Sequence, residues 1–175
     1  MYLPSDDSFF FSDFIKKYLK KLRNKNIQIV DMGSGSGILA ETALKSGIKK
    51  ENILSADINP KVVKYLKSKN INALKSNLFS KIKNKKFDII LFNAPYLPKD
   101  KREPKDSRLE TTGGRRGDEI SLRFLNQAKK HLNKHGKILL LISSLTPRNR
   151  IEKFKPKIVA RKSLFFEELL ILEFS

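Results

Sequence analysis

The segment Asp31-Met32-Gly33-Ser34-Gly35-Ser36-Gly37 constrains the fold of this chain more than any other. An apolar run, residues 27–32, leads into it and a helical pattern leaves it. Glycines at every second position let the backbone turn sharply and lie against a ligand without Cβ clashes. A strand, a tight turn and a helix in that order are half of a βαβ unit. The expectation is therefore an α/β fold, with a mostly parallel sheet covered by helices on both faces.

The rest of the chain repeats that rhythm. Apolar runs at 52–58, 73–75, 87–92 and 137–143 read as further strands. Phe10, Phe11, Phe14, Ile15, Tyr18, Leu19 and Leu22 share one helical face that begins near Ser8, with Ser5 or Asp6 as its cap. Helices are expected over 37–46, closed by Gly47, and from Pro60, with Val62, Val63 and Leu66 facing inwards. Another runs from Gly117 or Asp118 to His131 or Leu132, and a short one spans 146–153. Residues 93–117 form a long polar loop, a length that usually serves function. Two strands, 157–162 and 167–174, close the chain as a hairpin.

Composition sets outer limits. The 175 residues fit one domain, 1–175, able to bury about 70% of its extended-chain surface. The chain has no cysteine, which removes disulfides, thiolate metal sites and a cysteine nucleophile. With only two histidines, no metal site is expected within it. No run approaches the ~18–20 apolar residues of a membrane span, so a cytoplasmic protein with no membrane partner is expected. The formal net charge is +19. That charge suits attraction to a polyanion, such as ribosome or RNA, and equally suits a general lysine bias. Basic clusters stand at 16–25 and 99–108.

Asp57 ends the second strand, twenty residues after Gly37, where a carboxylate accepts both hydroxyls of a ribose. A dinucleotide site would use G-x-G-x-x-G with a diphosphate on the helix N-terminus. Here the spacing is G-x-G-x-G, and Asp31 stands just before it. An extra carboxylate is unfavourable beside a diphosphate and favourable beside the ammonium and sulfonium of S-adenosylmethionine. The expected cofactor is therefore S-adenosyl-L-methionine.

Asn93-Ala94-Pro95-Tyr96 follows the fourth strand directly, at the carboxyl edge where open α/β sheets hold their ligands. An amide or exocyclic amino nitrogen is a poor nucleophile because its lone pair is delocalised. The Asn93 side-chain oxygen and the Ala94 carbonyl can take its two hydrogens and hold it in line with a methyl group. Pro95 fixes the chain, and the Tyr96 ring can stack on a planar target. The four are the expected catalytic residues of an N-methyltransferase.

Taken in order, DMGSGSG, ADINP, NAPY and TGGRRG resemble the glutamine methyltransferases that modify class I release factors. More narrowly, the chain is similar to their short archaeal and eukaryotic branch, which opens on a motif like the YLPSDDSFF seen here. The resemblance covers nearly the whole chain. It implies a Rossmann-like class I methyltransferase with a seven-stranded, mostly parallel sheet and an antiparallel last strand. It implies methyl transfer to the side-chain N5 of a glutamine in the Gly-Gly-Gln loop of a release factor. It places Asp7 and Ser8 near the methionine end of the cofactor, Asp31, Gly33 and Gly35 along its pocket, and Asp57 on the ribose. Ile58, Asn77, Leu78 and Asn93 complete the implied cofactor contacts. Gly113, Gly114 and Gly117 would belong to a mobile loop that meets the substrate. A small zinc-binding activator subunit is the implied partner, pairing with an exposed sheet edge near Ala73.

Two positions depart from the family pattern. Ala94 replaces the first proline of Asn-Pro-Pro-Tyr, and Asn77 stands where an acidic residue usually reads the adenine amino group. The same Asn-x-Pro-Tyr geometry also serves exocyclic amino groups of bases in RNA or DNA, so nucleic-acid methylation stays open on the residues alone. So does a cofactor-binding scaffold whose catalytic site has decayed.

Overall fold

The computed structural model describes residues 4–99 and 111–175. Helix α1 (Asp6–Lys21) precedes strand β1 (Ile29–Met32) and helix α2 (Ile38–Lys45). Strand β2 (Ile53–Asp57), helix α3 (Pro60–Ser68), β3 (Ala73–Lys75) and β4 (Phe87–Asn93) follow. Two short strands, β5 (Leu97–Pro98) and β6 (Thr112–Gly114), lead to helix α4 (Glu119–Ala128). The chain ends with β7 (Leu132–Ser143), β8 (Lys157–Ser163) and β9 (Glu168–Phe174).

Seven strands form one sheet in the order β3-β2-β1-β4-β7-β9-β8. β3, β2, β1, β4 and β7 run parallel to their neighbours. β9 is inserted antiparallel between β7 and β8, as the resemblance implies. The order reverses direction between β1 and β4, which opens a crevice at their carboxyl ends. That crevice lies between the glycine loop and Asn93.

Strand residues alternate between two cores. Ile29, Ile53, Ile89, Leu91, Leu139 and Ile171 face α1, α2 and α3, where Phe11, Ile15, Leu19, Ala43 and Leu66 meet them. Val30, Ala56, Ile90, Phe92, Leu140 and Leu172 face the other way, onto Phe124, Leu125 and Ala128 of α4. Both faces of the sheet are thus buried, which is why the central strands read as continuous apolar runs. No helix among the described residues is long and apolar enough to cross a membrane.

Four local expectations change. The helix expected over 146–153 is a turn followed by a short 3-10 segment, Glu152–Phe154. Ile151 is plugged into the core, and the Arg150 side chain is drawn to Asp118. Helix α4 gives way after Ala128 to a 3-10 turn, Lys129–His131, that reaches the expected end, but β7 starts already at Leu132 and not near residue 137. An irregularity at His135, with φ of +68°, then resets its register against β4. α1 begins at Asp6, but the Ser5 hydroxyl makes no cap and donates to Asp7 Oδ1 instead (2.5 Å). The loop expected over 93–117 contains the small parallel β5–β6 pair, Leu97 beside Thr112 and Pro98 beside Gly114. Of the basic cluster at 99–108, only Lys99 falls among the described residues.

Candidate active site

A cleft of about 340 Å³ opens at the carboxyl ends of β1, β2 and β4. Every residue singled out from the sequence as a catalytic or cofactor contact lines it: Asp7, Ser8, Asp31, Gly33, Gly35, Asp57, Ile58, Asn77, Leu78, Asn93, Ala94, Pro95 and Tyr96. Residues 33–37, between β1 and α2, form one wall. Gly33 N–H donates to the Ala56 carbonyl (2.7 Å) and Gly35 N–H to Asp57 Oδ2 (3.1 Å), so the loop is tied to the end of β2. Asn59 N–H holds the other oxygen of Asp57 (2.8 Å). Gly37 has φ of +81°, and a Cβ there would stand 2.6 Å from the buried Leu66 side chain. Only glycine closes this turn against α3.

Asp31 is almost wholly buried at the end of β1, and its Oδ2 has no hydrogen-bond partner. Burial pushes its carboxyl up to about 7, with the nearby Asp57 charge adding and Ser34 opposing. A buried carboxyl with an unsatisfied oxygen is the feature a cationic ligand relieves. Among the described residues, the charged ones on the cleft wall are Asp7, Asp31, Asp57 and Arg123. Three acids against one base among the described lining residues, in a chain of net charge +19, suit a cationic ligand better than a diphosphate. The residues present therefore fit S-adenosylmethionine: Asp31 for its ammonium, Asp57 for its ribose. Ile58 is exposed at the rim, as is Asn77, while Leu78 is buried with a left-handed φ of +49°.

The opposite wall is the segment after β4. Asn93 Nδ2 donates to Asp7 Oδ2 (3.1 Å), while Asn93 Oδ1 is buried without a partner. Asp7 is itself fixed: its Oδ1 accepts from Ser8 N–H (2.5 Å) and Ser8 Oγ (3.1 Å) as well as Ser5. The first turn of α1 thus sets which way the Asn93 carboxamide faces. Ala94 is buried, and Pro95 and Tyr96 are half-buried beside it.

Residues 113–117 brace this wall. A Cβ on Gly113 would fall 2.1 Å from the Gly117 carbonyl oxygen and 2.6 Å from that of Pro95. Of the glycines expected in a mobile substrate loop, Gly113 and Gly117 are close-packed against the backbone of residues 95–98 and Gly114 against the Glu119 side chain. Arg116 and Gly117 N–H groups donate to the Glu119 carboxylate (3.1 Å each). Fully buried Asp118 pairs with Arg150, whose Nε donates to Oδ2 (2.8 Å). Thr146 Oγ1 reaches the Tyr96 carbonyl (3.3 Å). Sequence reasoning missed Asp118, Arg150 and Thr146, whose partners lie far away along the chain. It also missed Arg123, an exposed residue on α4.

The methyltransferase small domain family matches residues 12–165. A Methanocaldococcus jannaschii protein, named as a proposed protein N5-glutamine methyltransferase, is 37% identical over 98% of this chain and 90% of its own length. The eRF1 methyltransferase catalytic subunit of Schizosaccharomyces pombe is 29% identical over 78% of this chain and 69% of its own. Among solved structures, the ribosomal protein L11 methylase of Lactobacillus delbrueckii subsp. bulgaricus superposes with a TM-score of 0.69. It is 19% identical and matched over 99% of this chain and 81% of its own. The 16S rRNA N2 G1207 methyltransferase of T. thermophilus, solved with AdoMet and guanosine, gives 0.63 at 17% identity, over 99% of this chain and 44% of its own. The structural likenesses bear on the fold, and the sequence matches carry the assignment: this chain belongs to the methyltransferase small domain family, alongside the protein N5-glutamine methyltransferases.

Proposed function

We propose that this protein transfers a methyl group to the side-chain N5 of a glutamine in the Gly-Gly-Gln loop of a class I translation release factor, using one catalytic domain over residues 1–175. The observation that carries the reading is the buried, unpartnered Oδ1 of Asn93 beside an Asp7-anchored Nδ2. S-adenosylmethionine, when bound, supplies an electrophilic methyl group. Asp31 neutralises its ammonium, Asp57 binds the ribose, and residues 33–35 let the backbone lie against it, with Ser8, Ile58, Asn77 and Leu78 around the remainder.

The protein's own work falls on the acceptor. A glutamine amide presents two N–H donors, and Asn93 Oδ1 and the Ala94 carbonyl are the acceptors for them. Holding both hydrogens fixes the nitrogen's position and raises its electron density. Asp7 strengthens this, because a carboxylate accepting from Nδ2 polarises the amide towards Oδ1. Only the backbone of residue 94 is used, so alanine serves there. Tyr96 stacks on the flat carboxamide, and residues 113–117 keep the wall in place.

The relatives in Methanocaldococcus jannaschii and Schizosaccharomyces pombe, named for protein N5-glutamine and eRF1 methylation, support this acceptor class. A small zinc-binding activator remains part of the proposal. β3 is a three-residue edge strand paired only with β2 among the described residues, and it offers an edge for strand addition. The positive surface is the one observation favouring an RNA acceptor or a ribosomal contact.

Tritiated methyl transfer separates these readings. Release factor, its Gln→Ala variant in the Gly-Gly-Gln loop and total RNA are offered side by side, with and without an activator subunit. Label in the unaltered factor alone is expected. Label in RNA, or in both forms of the factor, would refute the glutamine assignment.

A further inference from the structure

The turn between β8 and β9 carries two phenylalanines with no structural use. Leu164 N–H donates to the Glu167 carbonyl (2.8 Å), so the hairpin closes tightly and Phe165 and Phe166 occupy its corners. Corners of this kind ordinarily carry small or polar residues. Here the rings are 93% and 86% exposed and, among the described residues, meet each other edge to face with centroids 4.6 Å apart. Folding gains almost nothing from them, while two adjacent bare aromatic rings are a solubility liability.

Their place in the fold is specific. Leu169 of β9 pairs with Ser143 of β7, and Leu141 of β7 pairs with Asn93 of β4. The hairpin tip therefore stands at the same carboxyl edge as the cleft, with β9 two strand spacings, about 10 Å, from β4. The tip is tied to the catalytic wall twice. Ser144 N–H donates to the Glu168 carbonyl (2.7 Å), and the same connection brings Thr146 to the Tyr96 carbonyl. Lys162 pairs with Asp6 (2.8 Å), whose neighbour Asp7 orients Asn93. Leu145 and Phe9, on these two connecting segments, are themselves 52% and 54% exposed.

We infer that the Phe165–Phe166 hairpin tip, flanked by Leu145 and Phe9, is a docking lip for the folded protein substrate that carries the target glutamine. This rests on the glutamine reading of the same cleft. A side-chain amide offers too little surface to identify a macromolecule. Recognition must come from surface outside the cleft, and exposed aromatics at a fixed distance from the reacting group supply it. A protein is favoured over the alternatives by what surrounds the rings. Arg161 and Lys162, the cations on β8 beside the tip, are paired with Glu168 (3.1 Å) and Asp6 (2.8 Å), which leaves them little to offer RNA phosphates or anionic lipid headgroups. The rings also stand at 81° to one another, so they offer no pair of parallel faces for successive bases.

The test compares wild type with Phe165→Ser/Phe166→Ser on whole release factor and on a short peptide spanning its Gly-Gly-Gln loop. The double variant should raise KM for the whole factor about tenfold or more, as loss of an aromatic anchor does. Its kcat, cofactor affinity, thermal unfolding and turnover of the peptide should match wild type, and Phe→Leu replacements should restore most of the KM. An unchanged KM for the factor overturns the proposal. So does an equal loss on factor and peptide, which would make the tip a support of the cleft. Flotation with phosphatidylglycerol vesicles, and retention of total RNA, are measured in parallel. Binding that the double variant loses while KM holds would assign the tip to lipid or to RNA. If wild type itself leaves the factor unlabelled, the glutamine reading has failed, and the docking role fails with it.

Discussion

The two walls of the cleft are built in different ways. The cofactor wall is local: β1, the loop 33–37, and the end of β2 lie within about thirty residues and are joined by backbone N–H groups to Ala56 and Asp57. The acceptor wall is assembled from distant pieces. Asp7 comes from α1, Asn93 from β4, Gly113 and Gly117 from the β6 region, and Thr146 and Arg150 from the connection after β7. A local wall follows from a short motif and tolerates change elsewhere. An assembled wall depends on tertiary contacts, so its variants should disturb methyl transfer while leaving cofactor binding intact.

The largest expected effect tests that separation at its centre. Asn93→Ala should lower the single-turnover rate about 10³-fold or more, with cofactor affinity within a few fold of wild type. Near-normal turnover, read by rapid quench, would remove Asn93 from the chemistry. Next come the glycines of the local wall, which sort into two kinds. Gly37→Val drives a side chain into Leu66 at a left-handed φ, and should cost about 3 kcal/mol in urea unfolding. Gly35→Ala has nothing nearer to its Cβ than the Gly33 carbonyl oxygen at 3.9 Å. It should cost only about 1 kcal/mol in stability, and weaken cofactor binding instead. If both act on stability alone, the loop is a structural turn and no binding wall.

Arg150→Ala should lower stability in urea unfolding, since it strands the fully buried Asp118. Acceptor KM and kcat should both worsen because residues 113–117 loosen, while cofactor affinity holds. Calorimetric titration with the cofactor alongside acceptor kinetics decides it. A pH profile tests the cofactor wall through Asp31. Folded Asp31 keeps its proton up to about 7, against an ordinary value of 3.8. Between those values the folded chain binds more protons than the unfolded one. The stability this group contributes is therefore full below about pH 4 and lost as pH rises through 7. A cationic ligand needs the ionised form. Cofactor affinity should climb up to roughly tenfold per unit from pH 5.5 towards 7, then level off, and Asp31→Asn should flatten both profiles. A flat wild-type profile would mean that Asp31 does not face the cation.

The same contrast decides how much was legible in the sequence. The parallel strands, the glycine turn, Asp57 and the position of Asn93 are written in apolar runs and spacings over a few tens of residues, and the structure brings them together as expected. The antiparallel insertion of β9 came from the resemblance, since periodicity alone does not order strands. What sequence reasoning missed was non-local. Nothing near Asp118 announces Arg150, and β5 and β6 are too short to leave a pattern. Residues 146–153 carry helix-forming spacing, yet the burial of Ile151 and the pull of Arg150 towards Asp118 override it. Gly113 and Gly117 looked like flexible loop residues because close backbone packing and flexibility both demand glycine.

The central claim concerns one atom, and a structure of the complex tests it most directly. The protein would be crystallised with the demethylated cofactor product and a peptide carrying the unmodified glutamine. The account predicts the glutamine N5 about 3 Å from both Asn93 Oδ1 and the Ala94 carbonyl, with Asn93 Nδ2 still on Asp7. A glutamine side chain bound elsewhere, or an Asn93 carboxamide rotated so that Oδ1 faces away from it, would contradict the account.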